Sequence, residues 1–411
     1  MFLSMKISEN PAGTSAMHPT AIAIRECVLQ NGAVTRLKIA QTLGLSPRTV
    51  ALHTNELIRQ RHIAVLGHRA STGGRRSEVL GPTAGDQTRC ALALIFDHKG
   101  FTLHLVDATG KILAEHRNDK VAPFNDALLR HVGKVAVRFV KQHLQLPHRL
   151  CGIGMSTRVM SDESTVIDEN SWGGELSRYL ARRLDVPVYR DVMVRCRTLG
   201  ERMFGPGQME PDMVFIGAYQ HVEMGIISGG RLVRGSEITE SGALGMMRVA
   251  TPDHAKGLRC LEDFVSINHV VAEIRRKLKA GRSSILVQAS RDSIMIEQVM
   301  DAYVNGDALA VEQIDEMIYH LIPALHAIQL LLSPRVVIFG SYLRLAGDVL
   351  FDHIRRVCQD DPALAGITKW DMRSSGETFD ISKRGVAVLA LTESYMESSL
   401  RAATADDPPQ P

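Results

Sequence analysis

No stretch of the 411 residues approaches the ~18 consecutive apolar side chains of a membrane span, and the polar amino-terminal segment has no signal-peptide core. Both absences speak against a membrane or exported protein and set the expectation of a cytoplasmic one. The six cysteines, Cys27, Cys90, Cys151, Cys196, Cys260 and Cys358, include no CxxC spacing, so they read as reduced, mostly buried thiols rather than a zinc ribbon or redox pair. A large net charge is missing too, at only +3. Its distribution is uneven. Residues 1–80 hold ten Lys/Arg against four Asp/Glu, or +6, which leaves −3 for the remainder. A basic amino-terminal end points to a polyanionic partner there, with affinity that falls as salt rises. The length has room for two or three domains and a large core. Residues 1–17 and the tail 402–411, ending DDPPQP, have the composition of disordered segments.

The segment 18–84 reads as a winged helix-turn-helix. Thr35 is placed to cap a short helix whose Leu37, Ile39, Ala40 and Leu43 supply an inward face, and Gly44 stops it. Ser46 caps the next helix, with Pro47 at the first helical position, where its missing N–H costs nothing. Val50, Leu57 and Ile58 face the core, leaving Arg48, Thr49, His53 and Asn55 outside. A helix in the major groove reads bases mainly with side chains near its amino terminus. Ser46, Arg48, Thr49 and His53 are therefore the candidates at double-stranded operator DNA. Ile63, Val65 and Leu66 begin a hairpin that returns through Val79 and Leu80. Its tip, residues 71–76 (STGGRR), combines glycine with Arg75 and Arg76, which suits a wing lying against phosphates or in the minor groove. The plain alternative is a solvated charge cluster on an ordinary hairpin. Two caps, a turn glycine, the proline and the basic wing in register favour DNA.

From about residue 88 the chain reads as α/β. RCALALIFD (89–97) and TLHLVD (102–107) are strands, followed by a strand at 112–116, a helix at 125–143, a strand at 151–155 and a helix at 176–184. A second cycle opens with strands at 213–218, 224–228 and 231–233, and closes with a long helix at 311–332 and a strand at 336–339. Two halves that each open with a hairpin sheet predict a duplicated fold with a cleft between them.

The order of these motifs resembles the ROK family (repressors, open reading frames, kinases), from about residue 18 to 395. LGLSPRTVALHTNELIRQRHI and STGGRRSEVL resemble the operator-binding head and wing of its repressors. GKILAEH, WGGELSRYLARRLDVPVYRDV, GIISGGRLVRGS, SGALG, CLEDF, LLSPRVVIFGSYL and RGVAVLAL follow in the family's order. The resemblance implies a two-lobed actin/hexokinase-like, ribonuclease-H-like body at residues 88–400 behind the head. The family holds both free-standing sugar kinases and repressors, and in the kinases an Asn-Asp pair binds sugar, with the Asp as general base.

Against that pattern the sequence departs at most chemical positions and keeps a few. Arg190–Asp191 replaces the Asn-Asp pair, which leaves Asp191 as relic, ligand-binding group or half of an ion pair with Arg190. The family's sugar-binding Glu and sugar- and zinc-bearing His become Ala243 and Met246, which can neither accept sugar hydrogen bonds nor ligate zinc. Of its three-cysteine zinc motif only Cys260 stays, with Glu262 behind it. Asp253 and His254 could ligate a metal together with Cys260, but structural zinc sites are four-coordinate and the fourth position is Met246, so no metal and no cofactor is expected. The phosphate loops are eroded as well. Asp97, His98, Lys99, Gly100 and Phe101 keep one glycine, YQHVEMG (219–225) stands where a GTGxG-type loop belongs, and Gly340–Ser341 partly keeps the adenosine-side turn.

The resulting expectation is a non-catalytic transcriptional repressor of carbohydrate genes, homodimeric or tetrameric, with operator DNA as partner. Arg190, Asp191 and Glu262 are its candidate ligand residues, for a sugar or, given the arginine, a sugar phosphate or acid. A sugar kinase carrying a regulatory head, and a regulator with no small-molecule effector, are the competing readings.

Overall fold

The computed structural model describes residues 18–392 apart from 32–33, 61, 70–76, 82, 84–87, 120–122, 158–167, 169, 209, 236–241, 251–256, 289–293 and 377–379. Arg75, Arg76, Asp253 and His254 fall outside the described residues.

The head is built from α1 (Pro19–Asn31), β1 (Val34–Thr35), α2 (Arg36–Leu43), α3 (Pro47–Arg59), β2 (Ala64–Arg69) and β3 (Ser77–Gly81). Its strands form one antiparallel sheet in the order β1-β3-β2. The helix ends are set by local chemistry. Thr35 accepts a hydrogen bond from the Lys38 N–H, and Gly44 stops α2 in the left-handed region at φ 61°, which costs a residue without Cβ nothing. Ser46 accepts from the Thr49 N–H at 3.1 Å ahead of Pro47. The core of this domain gathers Ile39, Val50, Leu57, Ile63 and Leu80 with Ala21, Ile24, Cys27 and Val28 of α1. One expectation is corrected here. Leu37 is 63% exposed rather than inward, because an eight-residue helix buries only the narrow stripe through Ile39 and Ala40. Val65 and Leu66 lie on β2 as expected and are exposed, while Ile63 and Leu80, the cross-strand partner of Val65, anchor that end of the hairpin in the core.

The body contains two five-stranded sheets of one design. The first has β4 (Arg89–Asp97), β5 (Gly100–Asp107), β6 (Ile112–Asn118), β7 (Arg149–Thr157) and β8 (Val188–Arg190), ordered β6-β5-β4-β7-β8. On it lie α4 (Asp126–His143) and α5 (Trp172–Leu184), and α6 (Met193–Phe204) follows β8. The second has β9 (Met213–Ala218), β10 (Val222–Ser228) and β11 (Arg231–Leu232). Then come a two-stranded ribbon, β12 (Arg248–Ala250) with β13 (Leu258–Cys260), and four helices: α7 (Glu262–Val265), α8 (Ile267–Lys279), α9 (Ile296–Val304) and α10 (Ala308–Leu332). β14 (Val336–Ser341), α11 (Asp348–Gln359) and β15 (Asp371–Ser374) complete this half, ordered β11-β10-β9-β14-β15, and a last helix, α12, covers 380–392. In each sheet an antiparallel meander supplies three strands and the other two join in parallel. The duplicated halves expected from the sequence are this pair of sheets.

Between the sheets run α6 and α12. One apolar cluster joins Ala91, Ala93 and Ile95 of β4 to Phe215 of β9 and Ile338 of β14 through Cys196 and Val386. The two helices cross where neither has a side chain. A Cβ at Gly200 would lie 2.4 Å from the Ile381 carbonyl oxygen, and one at Gly385 would lie 1.9 Å from that of Cys196. Backbone contact this close leaves room only for glycine, so the crossing is the seam of the body.

Candidate functional site

On α3 the buried stripe of Val50, Thr54 and Leu57 fixes which residues look outward. At 100° per residue, Arg48, Leu52, Asn55 and Arg59 lie opposite that stripe, and all four are exposed. Ser46 is exposed at the amino terminus, with its hydroxyl 2.8 Å from that of half-buried Thr49. His53 stands apart from this face. It is half buried and stacked on His18 at the start of α1, ring centres 5.0 Å apart, and burial followed by the charge of His18 holds its pKa below the usual histidine value. Sequence reasoning missed Leu52, 67% exposed one turn after Arg48. Its position opposite Val50 and Leu57 was the available signal. Arg36 of α2 braces the helix, donating to Asn55 Oδ1 and Thr54 Oγ1 at 2.8 Å each and pairing with Glu78 of β3.

Asp191 follows β8 and is 2% exposed. Its N–H donates to the Met155 carbonyl at 3.2 Å, and its own carbonyl accepts from the Ser156 hydroxyl at 2.7 Å. These contacts fix it as an extension of the first sheet. Oδ1 accepts from the Val192 N–H at 2.9 Å and from Arg195 Nη1 at 2.8 Å, and Oδ2 accepts from Arg234 Nε at 2.8 Å. Asp191 is thus in an internal ion pair, but with Arg195 of α6 and Arg234 beyond β11, not with Arg190. The Arg190 Nη1 donates instead to the Asp168 carbonyl at 2.9 Å. Arg234 brings the second half of the body onto a carboxylate of the first. Glu262 opens α7 in a different cluster, its Oε2 3.2 Å from Nδ1 of His221.

At both eroded phosphate loops a carboxylate pairs with an arginine from another element. Asp97 accepts from Arg117 Nη1 at 2.9 Å and Nη2 at 3.0 Å, and also from the Lys99 N–H at 2.8 Å. Hydrogen bonding to Asp97 holds the Arg117 guanidinium firmly charged, its pKa raised. In the second sheet Glu223 is 8% exposed and faces Arg197 Nη1 at 3.3 Å, and that guanidinium lies 4.1 Å from the ring centre of Tyr219. Burial raises the Glu223 pKa, while Arg197 opposes the shift. A phosphate here would meet a carboxylate and a ring, so the residues do not fit a nucleotide. Ser341 retains the backbone of the adenosine-side turn at φ 56°, where glycine would sit without strain.

The zinc position fits no better. Cys260 Sγ lies 3.3 Å from Arg248 Nη1, across the β12–β13 ribbon. A guanidinium against the sulfur repels a divalent cation and stabilises no shared site. Met246 is 61% exposed and offers only a thioether. Among the described residues, no group of three or more His, Cys, Asp or Glu is arranged to hold a metal ion.

The sequence profile described as ROK family matches residues 98–391. The chain belongs to the ROK family. Among curated ROK relatives, the "Xylose repressor" of Caldicellulosiruptor bescii is 23% identical over 348 residues, 82% of this chain and 86% of the relative. The "DNA-binding transcriptional dual regulator NagC" of Escherichia coli is 23% identical over 393 residues, covering 92% and 95%. Among solved structures, a ROK family transcriptional regulator described as a homolog of the E. coli MLC protein superposes with a TM-score of 0.68 at 19% identity, over 93% of this chain and 98% of that one. A ROK family glucokinase from Streptomyces griseus, solved with glucose and AMPPNP, gives 0.56 at 20% identity, over 74% and 99%. The fold is therefore the two-lobed ROK architecture, and the regulator likeness extends over more of this chain than the kinase likeness does.

Proposed function

We propose that this ROK protein is a cytoplasmic DNA-binding transcriptional repressor of carbohydrate genes, working as a homodimer or tetramer, whose body does not transfer phosphate. A head over 18–84 reads the operator through Arg48 and its neighbours on α3, and a body over 88–400 receives the signal. One observation carries the non-enzymatic half of the reading: the carboxylates at three kinase positions, Asp97, Asp191 and Glu223, each face an arginine of this chain. A general base must be within reach of a substrate hydroxyl, and Asp191 would have to release Arg195 or Arg234 first. Transfer chemistry depends on positioned charge at the phosphates, and at both loops a carboxylate paired with arginine stands instead.

A sugar-derived effector acts in this reading between the lobes, near Arg190, Asp191 and Glu262. It shifts the protein only by binding one lobe arrangement better than the other, and the Asp191–Arg234 pair is the contact such a shift would make or break. The saturation of Asp191 also favours a second reading, a ROK regulator with no small-molecule effector. Footprinting on genomic fragments, repeated with a panel of sugars, sugar phosphates and sugar acids, separates the two. Release by one class supports the effector, and release by none supports the second reading. ATP-dependent phosphorylation of any sugar in that panel, abolished by Asp191→Asn, overturns both.

A further inference from the structure

The outer flank of the first lobe carries a concentration of positive charge that neither the head nor the cleft uses. α4 and α5 cross closely there, since a Cβ at Gly133 would lie 2.4 Å from the Tyr179 ring. The groove between them has a volume of about 580 Å³ and is lined by Arg130 of α4 and by Arg178, Arg182 and Arg183 of α5. Among the described residues that line it, Asp126 and Glu175 are the carboxylates, and Arg130 lies 3.8 Å from Asp126 with both side chains mostly exposed. From Arg130 an exposed basic stripe continues along α4 through Lys134, Arg138 and Lys141. These four residues recur every three or four positions and so share one face, along about 16 Å of helix axis.

The charge is out of proportion to its surroundings. α4 and α5 hold seven Lys/Arg against two Asp/Glu, or +5, while residues 81–411 as a whole carry −3. Duplex DNA presents about one negative charge per 1.7 Å of axis, so a ladder of this length faces a phosphate for each of its cations. The guanidinium fork matches phosphate geometry. An acidic protein would need apolar anchors at the centre of its interface, and none of the large exposed apolar side chains lies on α4 or α5.

We propose that this flank is a second duplex-binding surface, which grips the phosphate backbone beside the segment read by the head. The proposal rests on the reading of the head as a DNA-binding module. It assigns the body a direct part in affinity without any part in sequence choice, because phosphate contacts position and base contacts specify.

The test uses the full chain and two duplexes carrying the same site selected from a random pool. One is trimmed to the site and the other is extended by about 40 base pairs on each side, and affinity is measured across a salt series. The wild type should bind the extended duplex more tightly and with a steeper salt dependence. Arg178→Ala, Arg182→Ala and Arg183→Ala combined should lower the slope on the extended duplex by about 2 to 3 and leave binding to the trimmed one unchanged. Lys134→Ala with Lys141→Ala, on the other helix, should lower it by about 2 and guards against a folding defect in the triple variant. An unchanged slope on the extended duplex in either folded variant overturns the proposal, leaving an acidic protein or no partner for this flank. Failure of the wild type to bind even the trimmed duplex overturns the reading of the head instead.

Discussion

Arg117 holds Asp97 by two parallel hydrogen bonds of 2.9 and 3.0 Å, from one strand end across the first meander to another. A carboxylate that a kinase would turn toward phosphate is thereby a structural acceptor. Arg117→Ala should destabilise the protein by about 1–2 kcal/mol, more than an exposed pair and less than a buried one. Chemical denaturation of Arg117→Ala, Asp97→Ala and the double variant should show coupling, whereas strictly additive losses would mean that the two side chains do not interact.

Asp191 and its two arginines should respond unequally to truncation. Asp191→Ala strands buried Arg195 and should cost about 3–5 kcal/mol, as for removal of one partner from a buried pair. Arg234 has 42% of its side chain exposed, and Arg234→Ala should cost only about 1 kcal/mol because water replaces the lost partner. Urea unfolding midpoints for the two variants check this, and equal losses would contradict the burial argument.

The outward face of α3 predicts two kinds of DNA contact. Arg48→Ala should weaken specific binding by about 1–3 kcal/mol if its guanidinium reaches a guanine edge. Leu52 has no polar group to offer a base, and an apolar side chain in the major groove finds the thymine methyl. Replacing each operator thymine in turn by deoxyuridine should weaken the wild type at one position and leave Leu52→Ala indifferent there. His53→Ala should matter less to sequence choice than either, since its ring is stacked on His18.

Stability should also depend on pH through His104. Burial first, then Lys383 nearby, lower its pKa to about 4, against the opposing charge of Glu115. The folded state therefore resists protonation that the unfolded state accepts near pH 6.5. The sign follows: stability falls as pH drops from about 6.5 to about 4 and is flat in this contribution outside that window. His104→Gln should flatten the slope of unfolding free energy against pH between those limits by about one proton, and an unchanged slope would mean that the imidazole is not buried neutral.

What the sequence made legible was local. Thr35, Gly44, Ser46 and Pro47 act within one turn of themselves, so the boundaries of α2 and α3 could be read before the fold was known. The repeated strand-hairpin openings likewise announced the paired sheets. α1 carries Ala21, Ile24 and Val28 at helical spacing but no acidic residue in its first turn and no basic one in its last, so its sequence signal is weaker than that of the two capped helices. The state of the cleft was not legible in full. Residue identity at 190, 243 and 246 reported what was lost, but the partners that closed the remaining carboxylates come from elsewhere in the chain. Arg234 lies 43 residues beyond Asp191, Arg117 lies 20 beyond Asp97, and Glu223 lies 26 beyond Arg197. Such pairs are set by how strands stack into a sheet and how two sheets face the helices between them, and neither is encoded in local spacing. The stacking of His53 on His18 is likewise set by α1 packing and not by the local spacing of α3.

The most direct test of the account is an equilibrium titration of the full chain with duplex DNA bearing its selected site, at several salt concentrations. Binding should tighten as salt falls, with a measurable advantage of the selected site over random sequence. No binding at low ionic strength, or equal affinity for every sequence with no loss on Arg48→Ala, would contradict it.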